Sequence, residues 1–475
     1  MPAPAKVAVI GLDCAEPSLV FDRWLEELPN IARLVRGGTW GRLRSVDPPI
    51  TVPAWTCMMS GRDPGELGIY GFRNRRDHSY DGLTTADSRA VTVDRVWDHL
   101  NRTGRQSIVI GVPQTYPPVE IHGALVADFM TPDPRRDRYT HPPELRDEIE
   151  RLVGGYEVDV RNFRSEDRDR ILAEIYAMTE QHFSVARHLL DTRAWEFFML
   201  VEIGLDRLHH AFWRYLDPAH PRHEPDHRYG GVIKTYYQYL DDEIGELLER
   251  FDDDTVVMVV SDHGARPMEG AICINEWLVQ EGYLVLKTPA EPGTALRDAD
   301  VDWARTRAWG EGGYYCRLCL NVEGREPQGT VSPDEYDALR TELSRRLEAL
   351  DGPDGPIGTR VHRPEDLWRR RRGLPPDLVV YFGDLAWRSN GTLGHGRHFT
   401  FDNDTGPDDA NHAQYGMWVL CGPGIEARHR DDLHILDVAP TILDVYGVRA
   451  PDDLQGRVIG HQPALDATAR ASSPS

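Results

Sequence analysis

A chain of 475 residues can bury a large core, and its net charge of −23 argues against a general nucleic-acid binder, which gains affinity by neutralising phosphates. Six scattered cysteines form no disulfide framework, and no run reaches the roughly 20 apolar residues of a membrane span. The overall charge does not exclude a small anionic substrate, because local fields in a cleft can oppose it.

In chain order, Lys6–Leu12 (KVAVIGL) reads as a buried strand with Asp13 at its carboxyl end. It resembles no signal peptide, so a cytoplasmic location is expected. The stretch DPPITVPAWTCMMSGRDPGELGIYG begins at Asp47. Its prolines force an extended approach. Pro53 suits the first residue of a short apolar helix through Ala54–Ser60, stopped at Gly61. Thr51 then stands at the helix N-terminus, either as a simple cap or as a hydroxyl facing the positive end of the dipole. Ser107–Val112, Trp195–Ile203, Thr255–Val260, Leu378–Phe382 and Met417–Cys421 are further apolar runs. Separated by helical stretches, they predict a mainly parallel α/β sheet with helices on both faces.

The rest reads as insertions and a tail. The core is expected in residues 1–130, 195–290 and 376–466. A helical cap is expected over 131–194, with Ile171, Ile175, Met178 and Phe183 as packing residues. A smaller insertion covers 291–375 and ends near four consecutive arginines, Arg369 to Arg372. Residues 467–475 read as a disordered tail.

In parallel sheets ligands bind beyond the carboxyl ends of strands, and Asp13, Asp206, Asp262 and His263 all fall there. His210 follows Asp206 by one helical turn, so both face the same way. Asp262 and His263 can share an ion if the chain turns sharply, which Gly264 would permit. Such Asp/His sets suit zinc, with manganese the alternative. His395, His398 and His412 compete for a third histidine position. Cys316 and Cys319 have knuckle spacing but no second pair. Cys14 reads as a packing residue.

The order Asp13, Thr51-Val-Pro-Ala-Trp, Asp206-Arg-Leu-His-His210, Ser-Asp262-His263-Gly, then His412 before Gly-Pro-Gly resembles the alkaline phosphatase superfamily. Within it, the chain is similar to the type I phosphodiesterase/nucleotide pyrophosphatase branch and its bacterial phosphohydrolase/phosphomutase proteins. The resemblance implies one divalent cation on Asp206, His210 and His412 and a second on Asp13, Asp262 and His263. Thr51 would bridge toward the second as nucleophile, giving a phospho-threonine that water hydrolyses. It also favours His412 over His395 and His398. The chain departs from relatives at Leu67-Gly68-Ile69, where many have His-Gly-Ile. Phe72 stands where a phosphate-contacting asparagine is usual, with Asn74 out of register. The expected activity is a two-metal phosphodiesterase on a small anionic substrate, the alternatives being a phosphomonoesterase, a phosphomutase or a non-catalytic scaffold.

Overall fold

The computed structural model describes residues 6–401 and 403–459. The tail expected at 467–475 lies outside them.

A ten-stranded sheet forms the frame. Lys6–Leu12 lies in its middle, paired in parallel with Thr255–Val260 on one side and Phe197–Glu202 on the other. Ser107–Ile110 and Gly123–Val126 continue the parallel part. Successive side chains on a strand face opposite sides. Every residue of Phe197–Glu202 and Thr255–Val260 is buried, so both faces of the sheet are covered. Pro29–Gly37, Val232–Leu248, Gly204–Leu216 and Arg168–Thr192 pack on one another as one helical layer. Thr51–Ser60, Val438–Val445 and Val96–Arg102 form a second group.

Met417–Cys421 belongs to this sheet, within Tyr415–Cys421, but runs antiparallel to Thr255–Val260. Leu378–Tyr381 departs from expectation. It lies in a separate four-stranded antiparallel sheet, ordered Ala308–Glu311, Cys316–Leu320, Leu378–Tyr381, Arg360–His362. A short apolar run has the same pattern in either sheet, and only its partners distinguish them. This smaller sheet has its own core, in which Trp309, Leu318, Leu339, Leu343 and Phe382 join.

Within residues 131–194, the helix Arg168–Thr192 buries Ile171, Ile175, Met178 and Phe183 in the main core. The residues just before it, including Asp159, Phe163 and Arg164, line a cleft at the carboxyl ends of the strands. Arg370 and Arg372 pair with Glu66 at 3.4 and 2.8 Å.

Candidate active site

Thr51 begins its helix rather than preceding it. The helix spans Thr51–Ser60, Ile50 holds the cap position, and no side chain caps it. Pro53 is thus its third residue. Ala54 N–H closes on the Ile50 carbonyl at 2.9 Å, so the N–H groups of Thr51 and Val52 precede the first intrahelical bond. The threonine hydroxyl is not spent on capping. It lies 3.2 Å from His263 Nε2. Gly61 ends the helix in the left-handed conformation, φ 65°.

Two groups of ligand-type atoms converge here, each within 4.8 Å: Asp206, His210 and His412, and Asp13, Asp262 and His263. All six residues are buried. His210 and Asp206 share the helix Gly204–Leu216, with Nε2 3.3 Å from Oδ1. His412 is delivered by the antiparallel pairing of Gly264–Pro267 with Ala410–Ala413. Its Nε2 lies 3.7 Å from Asp206 Oδ1, and its ring stacks on His263 at 3.7 Å. His263 Nε2 is 3.2 Å from Asp262 Oδ2 and 3.8 Å from Asp13 Oδ1. Gly264 serves by close approach rather than by a turn. A Cβ there would meet the Tyr415 carbonyl oxygen at 2.3 Å.

Each of the six residues has one polar atom tied outward. Asp13 Oδ2 accepts from Trp55 Nε1 at 2.7 Å, Asp262 Oδ1 from Cys14 N–H at 3.3 Å, and Asp206 Oδ2 from Arg207 at 2.5 Å. His210 Nδ1 is bonded to Asp408 Oδ1 at 2.6 Å, His263 Nδ1 to the Gly264 carbonyl at 3.0 Å, and His412 Nδ1 to the Pro49 carbonyl at 2.9 Å. Such bonds fix the tautomer that turns Nε2 inward. The inward atoms Asp13 Oδ1, Asp206 Oδ1, Asp262 Oδ2 and His412 Nε2 are buried without a hydrogen-bond partner. Orphaned buried acceptors of this kind are costly unless something positive meets them.

The charges agree with that reading. Burial, then the Asp206 carboxylate, pushes Asp13 well above the usual carboxylate range, and burial with Asp13 does the same to Asp262. Asp206 is held well below that range, because His210 and Arg207 outweigh its burial. Burial lowers His263 to about 4 and holds His412 down as well, the neutral form a ligand needs. His210 departs from that pattern: Asp408 beside it outweighs its burial and raises it to about 10, the protonated form.

Several neighbours carry no motif that sequence reading could use. Asp408 is fully buried and also receives Arg388 and Arg164, the latter at 2.9 Å. Tyr314 stacks on His412 at 3.8 Å. A tandem acid, Asp408-Asp409, just before His412 was the one available signal. His395 bonds Thr392, and neither it nor His398 enters the two groups. Cys316 and Cys319 are buried in the smaller sheet and are in neither group. Cys14 takes φ 66° to aim its N–H at Asp262. A cleft of 470 Å³ runs outward, lined by Ile50, Phe72, Phe129, Phe163, Tyr314 and Arg207 among others.

Among the described residues no helix is long and apolar enough to cross a membrane. The sequence matches the family profile of type I phosphodiesterase / nucleotide pyrophosphatase over residues 7–408. A search of curated proteins returns no match. Among solved structures, the chain is similar to phosphonoacetate hydrolase from Sinorhizobium meliloti 1021 at 16% identity and TM-score 0.60, covering 94% of this chain and 97% of that one. It is also similar to murine ectonucleotide pyrophosphatase / phosphodiesterase 5 at 13% identity and TM-score 0.54, covering 94% and 96%. The murine protein was also solved as an inactive threonine-to-alanine variant in complex with AMP. At such identities these likenesses speak for the fold. The profile, spanning most of the sequence, goes further: the chain belongs to the type I phosphodiesterase / nucleotide pyrophosphatase family, phosphoric ester hydrolases of the alkaline phosphatase superfamily.

Proposed function

We propose that the protein is a two-metal phosphodiesterase in which Thr51 is the nucleophile. One cation would be held by Asp206, His210 and His412, the other by Asp13, Asp262 and His263, with zinc favoured by the mixed nitrogen and oxygen donors. The observation that carries this reading is the division of labour in all six side chains, one atom anchored outward and the other turned into the site. Bound cations would lower the pKa of the threonine hydroxyl and offset charge on the phosphoryl group.

The chain's own residues supply the rest. Thr51 forms the Oγ–P bond while the ester's P–O bond breaks and the alcohol departs. The helix N-terminus faces the charge that develops there. Trp55, Cys14 and Arg207 hold the three carboxylates in one orientation, so no reorganisation is needed during the reaction. Water then cleaves the phospho-threonine and restores the hydroxyl. The aromatic cleft would take the apolar part of a diester. The inactivity of the murine threonine variant supports a threonine nucleophile here.

The test is a panel of mono- and diesters, phosphonates and sulfate esters, offered to metal-loaded wild type, Thr51→Ser and Thr51→Ala. Thr51→Ser should keep substantial diester turnover. Thr51→Ala should stay folded and lose several orders of magnitude. Near-wild-type turnover in Thr51→Ala would refute the nucleophile. A preference for monoesters would refute the substrate class.

A further inference from the structure

Tyr314 lies in the turn between Ala308–Glu311 and Cys316–Leu320, so the smaller sheet carries it to the site. Three contacts hold it. Its ring stacks on His412 at 3.8 Å with planes 25° apart, the Arg388 guanidinium lies 4.6 Å from its centroid, and its carbonyl accepts from Asn411 Nδ2 at 3.1 Å. Its hydroxyl oxygen accepts a hydrogen bond from Arg164 Nη2 at 2.6 Å. An arginine has no acceptor, so the phenol's own proton must go elsewhere. Among the described residues, the protein atom in reach is His210 Nε2, at 3.4 Å.

That nitrogen is one of the atoms assigned above to a cation. Once its lone pair is engaged, the phenol O–H has no acceptor there, and the half-buried residue lines the 470 Å³ cleft. The nearest asparagine to the position where sequence places a phosphate contact is already occupied. Asn74 accepts from Tyr70 N–H at 2.7 Å and donates to the Gly71 carbonyl at 2.9 Å, stapling its own turn. Phe72 offers no donor.

We infer that Tyr314 is a catalytic residue whose hydroxyl donates a hydrogen bond to a non-bridging oxygen of the phosphoryl group being transferred, an inference that rests on the two-cation reading of the site. Arg164 is its positioning residue, since its bond to the phenol oxygen turns the O–H away from itself. Asp408 fixes Arg164 in turn, at 2.9 Å. The position relative to Thr51 is consistent. The threonine hydroxyl adjoins His263 and the phenol adjoins His210, so a phosphorus held between the two groups has Thr51 and Tyr314 on different sides. Charge on the equatorial oxygens grows as the P–O bonds loosen, so the donor gains strength in the transition state.

The experiment uses metal-loaded full-length wild type and Tyr314→Phe, which keeps the ring and its stacking. Three quantities are read: metal stoichiometry by elemental analysis, inorganic phosphate affinity by calorimetry, and kcat and KM on bis(4-nitrophenyl) phosphate. The expected result is unchanged metal content and melting temperature, phosphate binding weakened about ten-fold, and kcat lowered roughly 100-fold with a small change in KM. Phosphate affinity and kcat equal to wild type would overturn the contact. Loss of one metal equivalent in Tyr314→Phe would also overturn it, because the phenol would then be a ligand. Wild type that neither binds phosphate nor cleaves the diester would overturn the two-cation reading itself, a result distinct from a silent Tyr314→Phe.

Discussion

Replacing Gly11 with alanine tests how the helix that begins at Thr51 is seated on the sheet. Gly11 lies in Lys6–Leu12, under the indole of Trp55. A Cβ there would sit 2.5 Å from Trp55 Cη2, 3.0 Å from Cζ3 and 2.9 Å from Val201 Cγ2. Carbon atoms in good contact stay about 3.5–4 Å apart, so the overlap is roughly 1 Å. Neither neighbour can give way into solvent, since Trp55 is 0% and Val201 2% exposed. Overpacking of this kind costs about 1–3 kcal/mol, a drop of a few degrees in Tm. The indole's route of escape tips Nε1 away from Asp13 Oδ2, now 2.7 Å distant. Loss of such a supporting bond lowers metal affinity about ten-fold or more. Thermal melts of the metal-free protein and metal titrations read the two effects separately. The decisive control is the same substitution in Trp55→Phe, which lacks the outer ring that clashes. There Gly11→Ala should cost less by about 1 kcal/mol, the Val201 contact remaining. Strict additivity of the two substitutions, or an unchanged Tm in Gly11→Ala alone, would refute the reasoning.

Three further outcomes are expected. Asp206→Ala and Asp262→Ala should each retain about half of the wild-type metal by elemental analysis, since each change dismantles one of two sites; full stoichiometry in both would rule out the assignment. Chelation should abolish diesterase activity, and adding back zinc or manganese should restore it. His182 is buried with Nδ1 2.8 Å from Glu202, and that carboxylate outweighs the desolvation and raises its pKa. A raised histidine stabilises fully below its unfolded pKa, about 6.5, and the contribution is lost as pH rises through the higher folded value. His182→Gln should therefore cost roughly 3 kcal/mol near pH 6 and progressively less in alkaline buffer, measured by denaturant unfolding; a cost independent of pH would contradict the ion pair.

The parts of this site that sequence could reveal are those where local pattern and chemistry coincide. Asp13 and Asp262 announce themselves because an apolar strand ends in an acid, and a buried acid at a strand end has few structural uses. Asp206 and His210 are readable because helical geometry puts residues four apart on one face. Tyr314, Arg164 and Asp408 carry no such pattern. Arg164 and Tyr314 are 150 positions apart and meet only because the segment before Arg168–Thr192 lies against the hairpin of the smaller sheet. Leu378–Tyr381 shows the same limit for the fold, since an apolar run specifies burial but not its partner. The start of the helix at Thr51 rather than beyond it was hidden by Pro53, which suits the first helical position but is also tolerated elsewhere in the first turn.

Of the six residues in the two ligand-type groups, five sit on or just beyond elements of the large sheet or its helices. His412 sits on the two-stranded pairing of Gly264–Pro267 with Ala410–Ala413, whereas Tyr314 arrives on a hairpin of the smaller sheet. The two parts meet where the Tyr314 ring stacks on His412 and where Asp408 bonds both His210 and Arg164. Gly313 N–H bonds the Ser389 carbonyl at 2.8 Å and Tyr315 Oη bonds the Tyr70 carbonyl at 2.6 Å, so the hairpin tip is clamped on either side of the phenol. On the proposed function, exchanging residues 312–315 would alter the grip on a phosphate ester while the six ligand-type side chains keep their own outward bonds.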